Sequence, residues 1–258
     1  MGGKKAKLAR GVMLTEHSKP SVKRKPMPEP LLKDYLYYHE DGPPVIDIYC
    51  GDCLEIMPLL PKVDLVVTDP PYGIGADKNL RANQQHGKAA APSKDYGKGD
   101  WDSKPISKAT LDMIIAHGKN TIVWGGNFFE VAPSPAWLVW DKDNGNNGYA
   151  DCELAWTNFD QAIRKIRYKW MGMIQEHMGD LKEHRWHPTQ KPLAVMKWAI
   201  QQCKYWDTPL TILDPFGGSG TTAVACKELK KDCTIIEINE KYCEIAKKRL
   251  KNTQVPFL

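Results

Sequence analysis

The sequence has no long apolar segment, since no run of about 18 uncharged apolar residues occurs anywhere in its 258 residues. This excludes a transmembrane helix, and we expect no membrane partner. The basic residues near the N-terminus are not followed by the apolar stretch that a secretory signal requires. We therefore expect a cytoplasmic protein.

The sequence lacks an even set of cysteines, since it contains seven. A chain of this size buries enough apolar surface to fold without disulfides, so we expect reduced thiols. Cys50 and Cys53 form a single CxxC pair, and no second pair stands at the spacing of a zinc site. We predict no metal site.

An excess of positive charge is confined to the N-terminal segment. Residues 1–33 carry nine Lys or Arg and two Glu, whereas residues 34–258 carry 27 positive and 29 negative side chains. The first segment is rich in Lys and Pro and lacks apolar periodicity, so we predict a disordered basic arm followed by a folded domain. Two interpretations of the arm stay open: it attracts a polyanion without choosing a sequence, or it is a solvated leader.

Short β-branched segments alternate with helical ones along the folded part. Strands are predicted at Val45–Tyr49, Val63–Thr68 and Thr121–Trp124, and again at Leu210–Leu213 and Cys233–Glu237. This alternation predicts an α/β fold with a mostly parallel sheet and helices on both faces.

A glycine-rich turn, DPFGGSG at residues 214–220, leads from a predicted strand into a predicted helix. Glycines let the backbone approach a ligand closely, and a helix N-terminus offers free N–H groups. Glu237 ends the next strand, where an acid can accept both hydroxyls of a ribose. No Lys follows the last glycine, which excludes a P-loop, and Asp214 would repel a diphosphate. The turn suits a ligand with a cationic end, such as an ammonium or a sulfonium; a purely structural turn is the alternative.

The tetrad Asp69-Pro70-Pro71-Tyr72 directly follows a predicted buried strand. Its prolines remove two N–H donors and stiffen the turn, so the carbonyl groups point in fixed directions. Asp69 adds carboxylate acceptors, and Tyr72 adds an aromatic face. Together they suit a planar ring that carries an exocyclic NH2 group. The alternative is a rigid proline turn with a capping aspartate.

The tetrad and the DPFGGSGTT segment together resemble the motifs of amino-group DNA methyltransferases that use S-adenosylmethionine. HPTQKP at residues 187–192 resembles that family's motif upstream of the cofactor loop, and Gly51-Asp52 resembles its adenine-contacting motif. The tetrad precedes the loop, an order that resembles the β group. The resemblance covers about residues 45–250. It implies a Rossmann-like class I methyltransferase fold with a circularly permuted motif order.

The resemblance also implies a role for each matching residue. Glu237 would bind the ribose hydroxyls, Asp52 would accept from the adenine amino group, and Thr189 with Lys191 would meet the methionine carboxylate. For Asp52 a helix cap, and for Lys191 an ordinary surface lysine, are the alternatives. The implied catalytic residues are Asp69, Pro70, Pro71 and Tyr72. The implied cofactor-binding residues are Asp52, Thr189, Lys191, Asp214, Phe216, Gly217, Gly218, Ser219, Gly220, Thr221 and Glu237.

DNA contacts are expected from segments between these motifs. Residues 164–170 interleave cations with aromatic side chains, which suits phosphate contact and stacking; a charged edge strand with inward aromatics is the alternative. The polar segment 73–105 is too long for an ordinary connection and is predicted to be a functional loop. With residues 142–186 it provides the room for target recognition. The predicted DNA-binding residues are Arg164, Lys165, Arg167 and Lys169.

The resemblance thus implies a site-specific enzyme that transfers a methyl group from S-adenosylmethionine to the N6 amino group of adenine. The partner would be double-stranded DNA with the target base flipped out. The alternatives are methylation of cytosine at N4, methylation of RNA or of a protein amide, and a DNA-binding module without catalysis. The resemblance allows a homodimer and leaves a restriction endonuclease partner undetermined.

Overall fold

The computed structural model describes residues 31–75, 102–145, 150–171, 174–186 and 189–255. The predicted basic arm lies outside the described residues except for its last three positions, where the first helix begins. Most of the predicted loop 73–105 also lies outside them. No helix in the described ranges is long and apolar enough to cross a membrane.

Eleven strands are present in the part of the chain that the structure describes. They are β1 (Leu36–Glu40), β2 (Ile46–Cys50), β3 (Val63–Thr68), β4 (Gly118–Trp124), β5 (Trp137–Asp141), β6 (Cys152–Thr157), β7 (Arg164–Arg167), β8 (Trp170–Met171), β9 (Ile174–Gln175), β10 (Thr211–Asp214) and β11 (Asp232–Glu237). The described helices are α1 (Leu32–Tyr35), α2 (Cys53–Ile56), α3 (Lys108–His117), α4 (Leu193–Gln201), α5 (Thr221–Glu228) and α6 (Glu240–Asn252).

Nine of these strands form one sheet in the order β1-β2-β11-β10-β3-β4-β6-β5-β7. The five central strands, from β2 to β4 in that order, are mutually parallel. Strand β1 is antiparallel at one edge, and β6 runs antiparallel to both β4 and β5. The predicted α/β fold with a mostly parallel sheet is confirmed.

Helices cover both faces of the sheet, as predicted. Neighbouring residues on β10 point to opposite faces, so Ile212 and Leu213 belong to different apolar clusters. The Ile212 cluster includes buried residues of α4, α5 and α6. The Leu213 cluster includes Ile56 of α2 and Ile114 of α3. The sheet is therefore buried on both sides, which explains why neighbouring residues of its central strands are both apolar, as at Ile212 and Leu213.

The direction of chain winding reverses between β3 and β10. From β3 the chain passes through α3 to β4 on one side, and from β10 it passes through α5 to β11 on the other. Strands β3 and β10 are direct neighbours, with Leu65 opposite Ile212. In open parallel sheets, ligands bind beyond the carboxyl ends of the strands at such a reversal point. The tetrad and the glycine-rich turn both begin there.

Three features differ from the sequence predictions. Strand β1 was not predicted, and β7 was predicted only as the alternative interpretation of residues 164–170; both lie at the sheet edges and bury no residue fully. Strand β6 lies inside segment 142–186, yet it pairs with β4 and β5 in the main sheet. Strand β7 of the same segment also joins that sheet, so among its described residues only those outside β6 and β7 lie outside the sheet, and their use in target recognition stays a prediction.

Candidate active site

A direct hydrogen bond joins the two motifs at the reversal point. Thr68, the last residue of β3, donates from its hydroxyl to Asp214 Oδ1 at 2.9 Å. Both side chains are buried. Asp69, the first residue of the tetrad, therefore stands beside the start of the glycine-rich turn, although the two are far apart in sequence.

Asp214 is held by neutral donors. Besides Thr68, the Thr222 hydroxyl donates to Oδ2 at 2.5 Å, and the Phe216 N–H donates to Oδ1 at 3.0 Å. Burial raises the pKa of the Asp214 carboxyl to about 6, and these hydrogen bonds oppose the rise. The carboxyl is thus an acceptor whose charge no neighbouring cation in the described residues balances.

The glycine-rich turn is compact where it meets α6 and open where a ligand would enter. Gly220 has φ +81°, and a Cβ there would lie 2.6 Å from the Cβ of Ala246 on α6. A Cβ built at Gly218, with φ +51°, meets no atom within 4 Å. Gly220 is therefore required by packing, whereas Gly218 faces free space.

Glu237 lies at the end of β11, beside that open side. Its Oε2 accepts from the Gly218 N–H and its Oε1 accepts from the Asn239 N–H, both at 2.8 Å. Burial raises the pKa of Glu237, and the two N–H donors oppose this. A carboxylate oxygen can accept two hydrogen bonds, so acceptor capacity remains for a ligand hydroxyl.

The other predicted cofactor residues lie in different local environments. Asp52 caps α2 by accepting from the Leu54 N–H at 2.8 Å, which is the structural alternative, although only one of its oxygens is used in this bond. Phe216 packs against the Leu213 cluster, and Thr189 is exposed. The loop residues Gly217, Ser219 and Thr221 complete the turn between β10 and α5.

The tetrad forms a tightly packed corner. The Tyr72 hydroxyl donates to Asp69 Oδ1, Pro70 is buried, and Pro71 is half-buried. The Tyr72 ring stacks on the exposed ring of Phe128, with centroids 5.0 Å apart and planes at 16°. Gly125 has φ +68°, and a Cβ there would lie 2.1 Å from Tyr72 Cε1. The turn after β4 therefore supports the Tyr72 ring.

Lys191 is buried against the tetrad. Its side chain is 6% exposed, and Nζ lies 2.8 Å from Asp69 Oδ2, 2.9 Å from Glu153 Oε2 and 3.2 Å from the Tyr72 hydroxyl. It is neither a surface lysine nor, in these contacts, a ligand of the glycine-rich turn. Its neighbour Gln190 lies 3.5 Å from the Ser219 hydroxyl of that turn.

Two functional residues were missed by sequence reasoning. Glu153 on β6 forms ion pairs with two lysines: Lys191 Nζ lies 2.9 Å from its Oε2, and Lys142 Nζ lies 2.6 Å from its Oε1. Arg249 on α6 donates to the Ser219 carbonyl at 2.8 Å and to the Thr221 hydroxyl at 2.9 Å, which braces the turn. Neither residue lies in a local motif, and each looks in sequence like one charged residue among many.

The predicted DNA-binding residues lie on and after the edge strand β7. Lys165 Nζ is 3.3 Å from Asp141 Oδ2, and Arg167 and Lys169 lie 2.5 Å and 3.1 Å from Asp143. Arg164 is exposed. The charged-edge-strand interpretation describes the geometry of this segment, since Trp170 is buried and three of the four cations are paired with acids.

Comparison with known proteins finds similar sequences among DNA-modifying methyltransferases. Residues 139–248 match a family model described as DNA methylase, of the N6/N4 type. Type II methyltransferase M.HpaI of Haemophilus parainfluenzae is 25% identical over 241 residues, which cover 79% of this chain and 73% of that protein.

Two further proteins are similar to this chain over comparable shares of their length. Type II methyltransferase M2.MboI of Moraxella bovis is 24% identical over 260 residues, covering 82% of this chain and 90% of that protein. The solved structure of an M1.HpyAVI–SAM complex is 26% identical, with a TM-score of 0.49 over 80% of this chain and 98% of that chain.

Proposed function

We propose that this chain methylates the exocyclic amino group of a base in DNA, with S-adenosylmethionine as the methyl donor. The observation that carries the proposal is the Thr68–Asp214 hydrogen bond. It brings the tetrad, which suits an amino group on a planar ring, next to the turn that suits a cationic nucleoside. The match to the N6/N4 DNA methylase model and the Type II methyltransferase relatives support DNA as the substrate and a place in restriction–modification.

The donor set of the turn fits S-adenosylmethionine. Asp214 is buried and bonded only to neutral groups among the described residues, so a cationic end of a ligand would balance its charge. Glu237 has acceptor capacity for the ribose, and the space at Gly218 is open. When bound, the cofactor supplies a methyl group on a positively charged sulfur. Asp214, Gly218 and Glu237 would hold it.

The tetrad would prepare the acceptor nitrogen. An aromatic amine is a poor nucleophile because its lone pair is delocalised into the ring. Hydrogen bonds from the amine to Asp69 and to the Pro70 carbonyl would favour a pyramidal nitrogen with its lone pair aimed at the methyl group. Tyr72 would stack on the base, which must leave the duplex to reach this corner. The gain is mostly positioning and electrostatics.

The proton of the amine would leave after methyl transfer. A carboxylate such as Asp69 is too weak a base to deprotonate a neutral aromatic amine in advance. No covalent link between the base and the protein is needed, so no cysteine takes part. Asp69 therefore acts as an acceptor that orients the amine.

Adenine N6 is the proposed target position, and cytosine N4 is the second candidate. The tetrad begins with Asp rather than Ser, which resembles the adenine enzymes. Its position before the glycine-rich turn in the chain supports the β-group order. The same order argues against the RNA and protein-amide alternatives, in which the cofactor loop comes first.

The test is to incubate the protein with methyl-labelled S-adenosylmethionine and unmethylated DNA, digest the DNA to nucleosides and identify the product by mass spectrometry. N6-methyladenine is the expected product, and sequencing the modified sites gives the specificity. N4-methylcytosine would keep the reaction and overturn the choice of base. Absence of label in DNA, with cofactor binding intact, would overturn the proposed substrate.

A further inference from the structure

Four side chains of alternating charge form a row that ends at the tetrad, in the order Lys142, Glu153, Lys191 and Asp69. Each neighbouring pair is within 2.9 Å. Glu153 links the two lysines, since Lys142 lies at one of its oxygens and Lys191 at the other. Lys191 is the innermost cation and is the one that reaches the tetrad.

Three oxygen atoms lie close to the ammonium of Lys191. Its Nζ donates hydrogen bonds to Asp69 Oδ2 and to the Tyr72 hydroxyl, and Glu153 Oε2 lies 2.9 Å away as an ion-pair partner. The ammonium also lies 5.3 Å from the ring centroid of the buried Trp124. These contacts fix its position on several sides.

The backbone around Lys191 is fixed as well. The Gln190 side chain accepts from the Trp186 N–H at 2.8 Å and donates to Glu183 Oε1 at 2.8 Å. Pro192 is the N-cap of α4, whose buried face packs in the core. A long side chain that is fixed at both ends loses less conformational entropy on forming an ion pair than the side chain of a surface lysine does.

The charges in this row depend on one another. Burial lowers the pKa of Lys191, but the carboxylates of Asp69 and Glu153 outweigh this and raise it well above its usual value. Burial raises the pKa of Glu153, but Lys191 and Lys142 outweigh this and lower it to about 2. Lys191 and Glu153 are therefore both charged at neutral pH. Among the described ion pairs, removing Lys191 leaves Glu153 with Lys142 alone, and removing Glu153 leaves Lys191 with Asp69 alone.

Asp69 is held by two donors that leave room for a third. The Tyr72 hydroxyl uses one lone pair of Oδ1 and Lys191 uses one of Oδ2. Each carboxylate oxygen can accept a second hydrogen bond, so the group meets an incoming amine already oriented. Burial raises the pKa of Asp69, and Lys191 is the largest opposing influence.

We infer that Lys191, held by Glu153, is a positioning residue that keeps Asp69 oriented and charge-balanced to accept the amino group of the target base. The inference rests on the proposed function and adds to it a residue pair for the acceptor half of the site. It differs from the role that the family resemblance implies, in which Lys191 meets the methionine carboxylate. The two roles predict different losses when the lysine is removed.

The test compares the wild type with Lys191→Met, Lys191→Arg and Glu153→Gln. Lys197→Met is the control, because Lys197 lies on α4 and pairs with Glu228 at 2.8 Å, away from this row. Two quantities are measured for each protein: the dissociation constant of S-adenosylmethionine by calorimetry, and kcat against pH at saturating cofactor and DNA. Thermal unfolding checks that each variant is folded.

For Lys191→Met we expect kcat at neutral pH to fall by about 10²-fold, with cofactor affinity within about twofold of the wild type. The ionisable groups that face Asp69 are Lys191, Glu153, Tyr72 and, across the strands, Asp214. Loss of the cation raises the pKa of Asp69, so the acidic limb of the kcat profile moves to higher pH. Lys191→Arg keeps the charge and leaves the limb near its wild-type position.

Glu153→Gln should shift the acidic limb of the kcat profile in the opposite direction. Glu153 raises the pKa of Asp69, so its neutralisation moves the acidic limb to lower pH. This variant leaves Lys191 in place and keeps the inference testable if Lys191→Met does not fold. Opposite shifts in the two variants, and none in Lys197→Met, are the signature of the proposed role.

Three results would overturn the inference. Weaker cofactor binding in Lys191→Met with an unmoved acidic limb would assign the lysine to the cofactor. A lower kcat and a lower unfolding temperature, again with an unmoved limb, would show a structural role alone. A wild type that methylates no DNA base would remove the proposed function itself, and the inference with it.

Discussion

The ends of β3 and β10 each present an acid, and the two acids are balanced in different ways. Asp69 is 24% exposed and lies 2.8 Å from the ammonium of Lys191. Asp214 is 3% exposed, and its hydrogen bonds come from two hydroxyls and one backbone N–H. One acid is balanced by a charge, and the other only by dipoles.

This difference makes the two sides of the site suitable for ligands of different charge. A carboxylate already paired with a lysine gains little from a second cation, whereas a buried carboxylate among neutral donors gains much. The β10 side is therefore suited to the positively charged donor, and the β3 side to a neutral amine. The contrast supports the proposed placement of S-adenosylmethionine at Asp214 and of the base at Asp69.

Removing Asp69 should give the largest difference between the two sides, because methyl transfer should fall while cofactor binding is retained. Asp69→Ala is expected to reduce methyl transfer by at least about 10²-fold, because the amine loses its oriented acceptor. Cofactor binding should persist, because Asp214 and Glu237 are untouched. Transfer is followed with labelled cofactor, and binding by calorimetry.

The control for Asp69→Ala is Asp112→Ala on α3. Asp112 is exposed and pairs only with Lys108 of the same helix in the described contacts, at 2.7 Å. Near-normal transfer in Asp69→Ala would remove the tetrad from the mechanism. Equal loss of transfer and of cofactor binding would show that the two sides are not separable.

The two sides also differ in how well the sequence predicts them. The glycine-rich turn and the tetrad are short motifs, so their residues could be placed at strand ends from spacing alone. The partner of Asp69 could not, because Lys191 is 122 positions away and its contact depends on the packing of α4. Glu153 joins that cluster only because β6 inserts next to β4 in the sheet.

The same limit applies to the fold. Central strands such as β3 and β11 contain several buried apolar residues, and their predicted bounds agree with the structure to within one residue. The edge strands β1 and β7 have mostly exposed or half-buried polar residues, so their hydrophobic pattern is weak. Edge position is a property of the whole sheet and is not encoded in a window of five residues.

Gly220→Ala should damage the β10 side alone. The new methyl group would lie 2.6 Å from Ala246 Cβ at a φ of +81°, so the turn must shift. We expect a loss of about 1–3 kcal/mol in the free energy of unfolding and at least about tenfold weaker cofactor binding. Chemical denaturation and calorimetry measure the two effects.

Gly145→Ala is the matched control for Gly220→Ala. Gly145 has a similar φ of +68°, but a Cβ there meets no atom within 4 Å. It therefore carries the backbone strain without the clash. If both variants bind the cofactor equally well, the close approach to α6 does not shape the turn.

The pH dependence of cofactor binding should report the state of Asp214. Its pKa is about 6, so a growing fraction is neutral as the pH falls through that value. A cationic ligand favours the ionised carboxylate, and affinity should therefore fall by about tenfold between pH 7.5 and pH 5. Constant affinity over this range would contradict a cation at Asp214.

Comparing two ligands sharpens the pH experiment. S-adenosylhomocysteine keeps the ammonium of S-adenosylmethionine but has a neutral sulfur. An equal pH dependence for both ligands would identify the ammonium as the partner of Asp214. A dependence seen only with S-adenosylmethionine would identify the sulfonium.

The smallest expected effect extends the contrast between paired and unpaired charge to the protein surface. Arg167 is paired with Asp143 at 2.5 Å, whereas Arg164 is exposed, and within the described residues no acid is paired with it. A cation already paired with an acid releases fewer counterions when a phosphate binds. Arg164→Ala should therefore lower the slope of log affinity against log salt by about one, and Arg167→Ala by less. DNA binding by fluorescence anisotropy at several salt concentrations measures both slopes. Equal slopes in the two variants would mean that the Arg167–Asp143 pair opens on binding DNA, so that surface pairing, unlike the buried pairing of Asp69, does not determine which charges act.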